Sequence, residues 1–257
     1  MEVQIKKTVK SGNSSAVILP RSWLNKEVRV EILEKTEDTI LSEVMEIIKN
    51  YVSLKNIIGV YLVGSYSREE QDKNSDIDIL VITDDSDKPV IKHGIYNILI
   101  ISSKLLKQKL ERDLFPIGQM IREAKTLLNS NYLDSIEVRV TRENVRWYLE
   151  TTEEKLALIK KILNKLSDKK NISDKIAYTL VLRIRTLHII KKLIENKKYS
   201  KEEFIKLIEK ISKSKKPYER YLAVKNNLPD KNETNKNEIV LLSRYLEELL
   251  KEIRKLI

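Results

Sequence analysis

The chain has 257 residues, with 49 Lys+Arg against 38 Asp+Glu and a net charge of +11. It contains no cysteine and two histidines, which excludes disulfides and thiol catalysis and argues against a His-based metal cage or a Ser-His-Asp triad. Metal chemistry must then rest on carboxylates, which favour magnesium or manganese. The positive charge fits a polyanionic partner, and it fits equally well a Lys- and Ile-rich proteome.

Segments that target a chain to a membrane are not evident. The stretch Met1–Lys10 is charged and has no apolar core of the kind a signal peptide carries. No apolar run approaches the roughly 20 residues of a membrane span. We therefore expect a cytoplasmic protein with no membrane partner.

The first 34 residues predict a small β unit. Val3–Val9 alternates apolar and polar residues, Ser11–Ser14 is a turn, and Ala16–Leu19 is a second apolar strand that stops at Pro20. Val28–Ile32 alternates again. Strands this short cannot bury a core of their own, so the unit must pack on a partner chain or on the rest of the protein.

A family resemblance rests on this unit. Its residues are Lys10-Ser11-Gly12-Asn13-Ser14, Val17-Ile18-Leu19-Pro20, Trp23-Leu24 and Val28-Arg29-Val30. The pattern resembles the swapped-hairpin module of AbrB/SpoVT-type DNA-binding proteins. Asn25-Lys26 departs from it, since the family often has glycine there. The resemblance implies an intertwined homodimer that presents basic residues to DNA, here Lys6, Lys7, Lys10 and Arg21.

The remaining chain predicts an α/β segment followed by a helical segment. The predicted strands are Ile57–Val63, Asp76–Ile82 and Ile95–Ile101, with helices over 40–51, 104–112 and 117–128. Capping boxes at Thr151 and Ser200 predict the starts of two later helices. The fold class is α+β. Its domains are a β-hairpin module (1–34), an α/β core with a mixed sheet (38–141) and a helical C-terminal domain (142–257).

Gly64-Ser65 ends the first predicted buried strand, and Arg68 lies three residues past that serine. A glycine removes the Cβ that would block the close approach of a triphosphate. Exposed backbone N–H groups and the serine hydroxyl can then bond phosphate oxygens, and the arginine can add a cationic clamp.

Asp76 and Asp78 are two residues apart on the next predicted strand, so both side chains project from the same face. Two such close carboxylates repel each other unless a cation lies between them. A divalent metal that bridges them to nucleotide phosphates is the favourable arrangement. The alternative is a surface turn followed by an ordinary strand with solvated aspartates.

These two features together resemble the DNA-polymerase-beta-like nucleotidyltransferase superfamily, in its small prokaryotic branch. The matching residues are Gly64-Ser65-Tyr66-Ser67-Arg68 and Ser75-Asp76-Ile77-Asp78-Ile79-Leu80-Val81. The resemblance covers about residues 40–130. It implies Mg-dependent transfer of a nucleoside monophosphate from an NTP to a hydroxyl acceptor on a protein, an RNA or a small molecule. Asp76 and Asp78 would bind metal, and Gly64, Ser65 and Arg68 would bind the nucleotide.

One position departs from the superfamily, which has a third carboxylate on the following strand. Asn97 occupies that position here, or Leu99 does if the strand aligns two residues further on. An amide can offer an oxygen to a metal but cannot act as a general base. The alternative function is therefore a DNA-binding regulatory protein with a degenerate, nucleotide-binding core.

A second motif lies in the helical segment. Arg183 and His188 resemble the R-x-x-x-x-H motif of HEPN-type RNases. On a helix this spacing places the two side chains on adjacent rather than identical faces. The ordinary interpretation is a structural helix that carries both residues.

Overall fold

A computed structural model describes residues 4, 6–28, 30, 35–72, 75–165, 172–231 and 234–257. The chain divides into two compact units, Met1–Thr36 and Glu37–Ile257. None of the helices in the described ranges is long and apolar enough to cross a membrane.

The N-terminal unit contains a two-stranded hairpin. Strand β1 (Val9–Ser11) pairs antiparallel with β2 (Ser14–Ala16). Gly12 in the turn has a φ of +61°, a conformation that glycine adopts without steric cost. Of the predicted Val3–Val9 strand, Lys6 to Thr8 are not paired, and Val3 and Ile5 lie outside the described residues. The predicted Val28–Ile32 strand also lies outside them, apart from its first and third residues.

The second unit begins with the α/β part. Its helices are α1 (Glu37–Ile48), α2 (Gly64–Ser67), α3 (Ser103–Arg112), α4 (Ile117–Glu123) and α5 (Ser130–Asp134). Its strands are β3 (Ile57–Val63), β4 (Ile77–Thr83), β5 (Lys88–His93), β6 (Tyr96–Ser102) and β7 (Lys125–Leu128). They form one sheet in the order β5-β6-β4-β3-β7, in which β4 and β6 are parallel and the other pairs antiparallel. The predicted mixed sheet is confirmed.

Both faces of this sheet are covered, which explains why its central strands read as nearly continuous apolar runs. One face packs against α1 through residues such as Val60 and Ile79. The other face packs against α3 and α4 through residues such as Tyr61, Leu80 and Ile101. Asp78 continues the second row of side chains by one position toward the strand start, because side chains alternate between faces.

The helical part is built around one central helix. Its elements are α6 (Arg142–Lys165), α7 (Asp174–Ile194), α8 (Lys201–Ser212), α9 (Lys216–Lys225) and α10 (Lys236–Leu256). Helix α7 contributes Leu180, Ile184 and Leu187, all fully buried. Ser200 caps α8, as predicted, and its hydroxyl accepts a hydrogen bond from the Glu203 N–H at 3.3 Å.

Three predicted boundaries are wrong. The second N-terminal strand, predicted over Ala16–Leu19, is Ser14–Ala16, because the hairpin turn is shorter than predicted. Thr151 does not start a helix; it lies inside α6, where its hydroxyl donates to the Trp147 carbonyl at 2.7 Å. The helix predicted over 117–128 ends at Glu123, and the next residues form β7 on the edge of β3. Pairing with a distant strand overrides the local helical pattern there, and it leaves the last residue of α4 beside the start of α2.

Candidate active site

The strand register brings the predicted acidic residues together. Asp78 lies in β4, opposite Val63 of β3 on one side and Asn97 of β6 on the other. Leu99 lies opposite Leu80, one layer further into the apolar core. The residue beside the aspartates is therefore Asn97 and not Leu99.

The side chain of Asn97 connects the two carboxylates. Its Nδ2 donates to Asp76 Oδ2 at 3.1 Å and to Asp78 Oδ1 at 3.2 Å. Burial raises the pKa of the Asp78 carboxyl above its ordinary value, the hydrogen bond from Asn97 lowers it, and the charge of Asp76 raises it. Two acids and one amide thus share a single polar cluster.

Gly64 lies directly against this cluster. Its φ is +72°, and a Cβ built on it would lie 2.3 Å from Asp78 Oδ2. Its N–H donates to Glu123 Oε1 at 2.8 Å. The half-buried hydroxyl of Ser65 has no hydrogen-bond partner within the part of the chain that the structure describes. The strand end therefore offers a serine hydroxyl on the residue after the glycine that lies against Asp78.

Arg68 is held by two carboxylates. Its Nε donates to Glu70 Oε2 at 2.9 Å and its Nη1 to Glu123 Oε2 at 2.6 Å, and its side chain is 11% exposed. Its guanidinium carbon lies 5.5 Å from the centre of the Tyr199 ring. The sequence predicts that this arginine is a cationic clamp for phosphate, and the structure places it inside an ion-pair network.

The sequence does not identify Glu123 or Glu70 as parts of the site. Glu123 is 3% exposed and accepts from three donors, the third being Gln119 Nε2 at 3.2 Å. No local pattern marks it, because it lies where the predicted helix seemed to continue. With its oxygens bonded and its carboxylate buried, Glu123 is not available to deprotonate an acceptor hydroxyl.

The other predicted residues lie elsewhere. Lys6, Lys7, Lys10 and Arg21 are exposed in the N-terminal unit. Arg183 donates to the Thr151 hydroxyl at 2.9 Å, whereas His188 faces the Tyr199 and Phe204 rings, and burial lowers the pKa of His188 to about 4. The two members of the R-x-x-x-x-H motif therefore contact different neighbours.

Carboxylates and amides are the metal ligands that this site offers. In the described ranges no group of three or more His, Cys, Asp or Glu side chains is placed to hold a metal ion. The candidate donors are the oxygens of Asp76, Asp78 and Asn97. All three are hard oxygen donors of the type that magnesium and manganese accept.

Comparison with known proteins agrees with this geometry for one part of the chain. Residues 43–142 match the family model described as Polymerase beta, Nucleotidyltransferase. This stretch, which contains Gly64, Asp76 and Asp78, is similar to that family. No curated protein sequence matches the chain.

The chain is also similar to solved structures, among them the following three proteins. A nucleotidyltransferase-like protein from Exiguobacterium sibiricum is 13% identical, with a TM-score of 0.36 over 83% of this chain and 75% of that one. The spectinomycin adenyltransferase AAD(9) from Enterococcus faecialis, solved with ATP and spectinomycin, is 17% identical, with a TM-score of 0.43 over 82% and 98%. A toxin-antitoxin solved with AMP-PNP is 18% identical, with a TM-score of 0.26 over 47% and 96%.

Proposed function

We propose that this protein transfers a nucleoside monophosphate from an NTP to a hydroxyl acceptor on a protein, an RNA or a small molecule. Asp76 and Asp78 bind Mg²⁺ or Mn²⁺, and Gly64 and Ser65 bind the triphosphate. The observation that carries the proposal is the cluster of both aspartates with Asn97, directly against the glycine that ends β3. Arg68 is a less direct contributor, because both of its carboxylate partners hold it in place.

The cluster fits a divalent cation. The amide nitrogen of Asn97 is 3.1 Å and 3.2 Å from one oxygen of each aspartate, so both carboxylates face a common point. When bound there, the cation would neutralise phosphate charge and orient an in-line attack. The side chain of Asn97 is then free to turn its carbonyl oxygen toward the same point.

Electrostatics makes the cation a requirement for nucleotide binding. Asp76 and Asp78 add two negative charges, and the positive charge of Arg68 is already divided between Glu70 and Glu123. A triphosphate that approached this cluster without a cation would be repelled. Nucleotide affinity should therefore depend steeply on Mg²⁺.

The double substitution Asp76→Asn with Asp78→Asn tests the site. We expect calorimetry to show that the variant loses all Mg²⁺-dependent NTP binding while its far-UV circular dichroism is unchanged, because each amide has nearly the same shape as the acid it replaces. The matched control is Asp84→Asn with Asp85→Asn, two exposed acids just after the far end of β4. Metal-dependent binding that persists in the first variant would disprove the site assignment.

Transfer itself is tested with labelled nucleotides. We expect incubation with Mg²⁺ and labelled ATP, CTP, GTP or UTP to leave label on an acceptor in a cell extract, and the Asp76→Asn, Asp78→Asn protein to leave none. Label that appears equally with both proteins would not come from this site. Nucleotide binding without any labelled acceptor would favour the second function considered next.

A second function, a DNA-binding regulatory protein, is favoured by the surface of the N-terminal unit. Large apolar residues there are exposed, among them Ile18 at 69%, Leu24 at 71% and Val30 at 65%. Exposed apolar side chains on so small a unit indicate a surface that is covered in the working protein. We propose that a second copy of the unit covers it, as in AbrB/SpoVT-type modules, and that the resulting homodimer binds DNA.

The proposed dimer and its DNA contacts are tested on the full chain. We expect light scattering to give the mass of a dimer. Changing Lys6, Lys7, Lys10 and Arg21 to glutamine should weaken binding to duplex DNA and flatten its salt dependence by about one unit of slope per lost phosphate contact. The control changes Lys104, Lys107, Lys155 and Lys161, which are exposed on the second unit, and so removes the same charge. A monomer, or equal effects of the two sets, would exclude this function.

A further inference from the structure

Helix α8 of the helical part is bonded to the segment that follows α2. Glu70 Oε1 accepts hydrogen bonds from the Ser200 hydroxyl at 2.8 Å and from the Lys201 N–H at 2.7 Å. Ser200 is the N-cap of α8, and Lys201 is its first residue. Glu70 therefore satisfies a free N–H at the start of a helix that lies 131 residues further along the chain.

Two further side chains, those of Arg68 and Glu123, link the same carboxylate to Gly64. Glu70 Oε2 accepts from Arg68 Nε at 2.9 Å, Arg68 Nη1 donates to Glu123 Oε2 at 2.6 Å, and Glu123 Oε1 accepts from the Gly64 N–H at 2.8 Å. We call this chain of bonds, Gly64–Glu123–Arg68–Glu70–Lys201, the relay. It starts and ends on backbone N–H groups, so it connects two main-chain segments and not only their side chains.

Burial makes the relay stiff. The side chains of Arg68, Glu70 and Glu123 are 11%, 18% and 4% exposed, so water competes little for their hydrogen bonds. The Tyr199 ring, which is 6% exposed, lies 5.5 Å from the Arg68 guanidinium and 5.2 Å from that of Arg185. Loss of one member leaves another as a buried, poorly paired charge, which forces the rest to rearrange.

The relay shapes the glycine turn and does not present a cation to phosphate. Two of the three guanidinium nitrogens of Arg68 are bonded to carboxylates, and the Gly64 N–H is taken by Glu123. A triphosphate at this turn would be left with the Ser65 hydroxyl and the neighbouring backbone donors. The direction of those donors depends on how Gly64 is held.

We propose that Glu123, Arg68 and Glu70 are positioning residues through which helix α8 sets the geometry of the Gly64–Ser65 turn. The inference rests on the proposed role of that turn in triphosphate binding. Displacement of α8 then weakens nucleotide binding, and nucleotide binding in turn steadies the start of α8, because coupling between two sites is reciprocal.

The first test compares two carboxylate substitutions. Glu70→Ala cuts the relay, and the control Glu247→Ala removes a carboxylate that pairs with Lys160 at 2.7 Å between α6 and α10. We expect Glu70→Ala to weaken MgATP binding in calorimetry by at least fivefold, within the usual range of about 5–150-fold for coupled sites. The control should stay within about twofold, since its ion pair is partly exposed and lies outside the relay.

A second pair of variants acts from the α8 side. Ser200→Ala removes the α8 cap and one bond to Glu70, and the control Asn235→Ala removes the capping box of α10. Both should lower the melting temperature by a similar amount, because both lose a helix cap. Only Ser200→Ala should weaken MgATP binding, a difference that a merely structural role of Ser200 would not produce.

Hydrogen exchange separates this inference from the proposed function. Without nucleotide, the Gly64 amide should exchange faster in Glu70→Ala than in the control. Saturating MgATP should slow exchange of the Lys201 amide in the natural protein and in the control, but not in Glu70→Ala. If the natural protein binds no MgATP, the proposed function fails, and the Gly64 exchange rate alone decides whether the relay holds the turn.

Glu70→Gln, which keeps the shape of the side chain, replaces Glu70→Ala if the latter does not fold. Equal affinities and equal Gly64 exchange in variants and controls would overturn the inference.

Discussion

Replacement of Gly64 by alanine is expected to abolish both metal and nucleotide binding. The added Cβ would lie 2.3 Å from Asp78 Oδ2 and 3.1 Å from Asp78 Cβ and Cγ, well inside van der Waals contact. Asp78 cannot withdraw, because its strand is paired on both sides, with Val63 and with Asn97. The aspartate must rotate out of the cluster or the turn must unfold, and calorimetry with Mn²⁺ and with MgATP measures the loss.

Gly94→Ala is the matched control for backbone strain. Gly94 has a φ of +57°, close to the +72° of Gly64, but nothing lies within 4 Å of its Cβ position. Backbone strain alone should cost each variant about 1–2 kcal/mol of unfolding free energy, because both force alanine into the left-handed region. Gly64→Ala adds the clash with Asp78 to that cost. Only Gly64→Ala should lose the binding of Mn²⁺ and MgATP. Equal ligand affinities in the two variants would mean that Asp78 is not part of the binding site.

The part of the candidate site that the sequence predicts is the part encoded locally. Gly64 and Ser65 follow one strand, and Asp76 and Asp78 begin the next, so strand alternation alone places both acids on one face. Asn97 required one further step, the parallel pairing of β4 with β6, which the structure provides residue by residue. Strand periodicity is enough to pair the two acids, whereas position 97 comes from the resemblance to the nucleotidyltransferase superfamily.

The residues that hold the turn were not predictable in this way. Glu123 reaches Arg68 across 55 residues, and Glu70 reaches Lys201 across 131. No periodic pattern marks either residue. In a Lys- and Glu-rich sequence, a glutamate is predicted to be an exposed surface charge. Their roles depend on tertiary contacts, which a pattern within one segment does not contain.

The predicted ends of helices are wrong where long-range strand pairing competes with local helical preference. The apolar spacing of residues 117–128 continues a helix, but β3 has an open edge that β7 fills, and the helix stops at Glu123. Thr151 has the sequence of a capping box, yet a helix that already began at Arg142 runs through it. Ser200 has the same signal, and it does cap a helix, because a new helix begins at Lys201 and Glu70 bonds to the Ser200 hydroxyl.

Asn97→Asp is expected to give the largest gain in this protein. Asp and Asn have nearly the same shape, so the new carboxylate would lie about where the amide now contacts Asp76 and Asp78. Without metal, three carboxylates would repel one another, and the melting temperature in EDTA should fall. With Mg²⁺ the same three groups become ligands, so the melting temperature should rise and metal affinity should increase. A general base at this position would raise the transfer rate by about 10²–10⁴-fold.

Asn97→Ala separates the new acid from the loss of the old amide. It removes both hydrogen bonds to the aspartates and adds no charge, so it should weaken the cluster slightly in EDTA and gain nothing from Mg²⁺ beyond the natural protein. The measurements are melting curves across a Mg²⁺ titration and the rate of label transfer from NTP. If Asn97→Asp and Asn97→Ala respond alike to Mg²⁺, position 97 does not reach the metal. An acid introduced at position 97 would then be no base for the acceptor, and Glu123 cannot replace it, because Glu123 is already bonded on both of its oxygens.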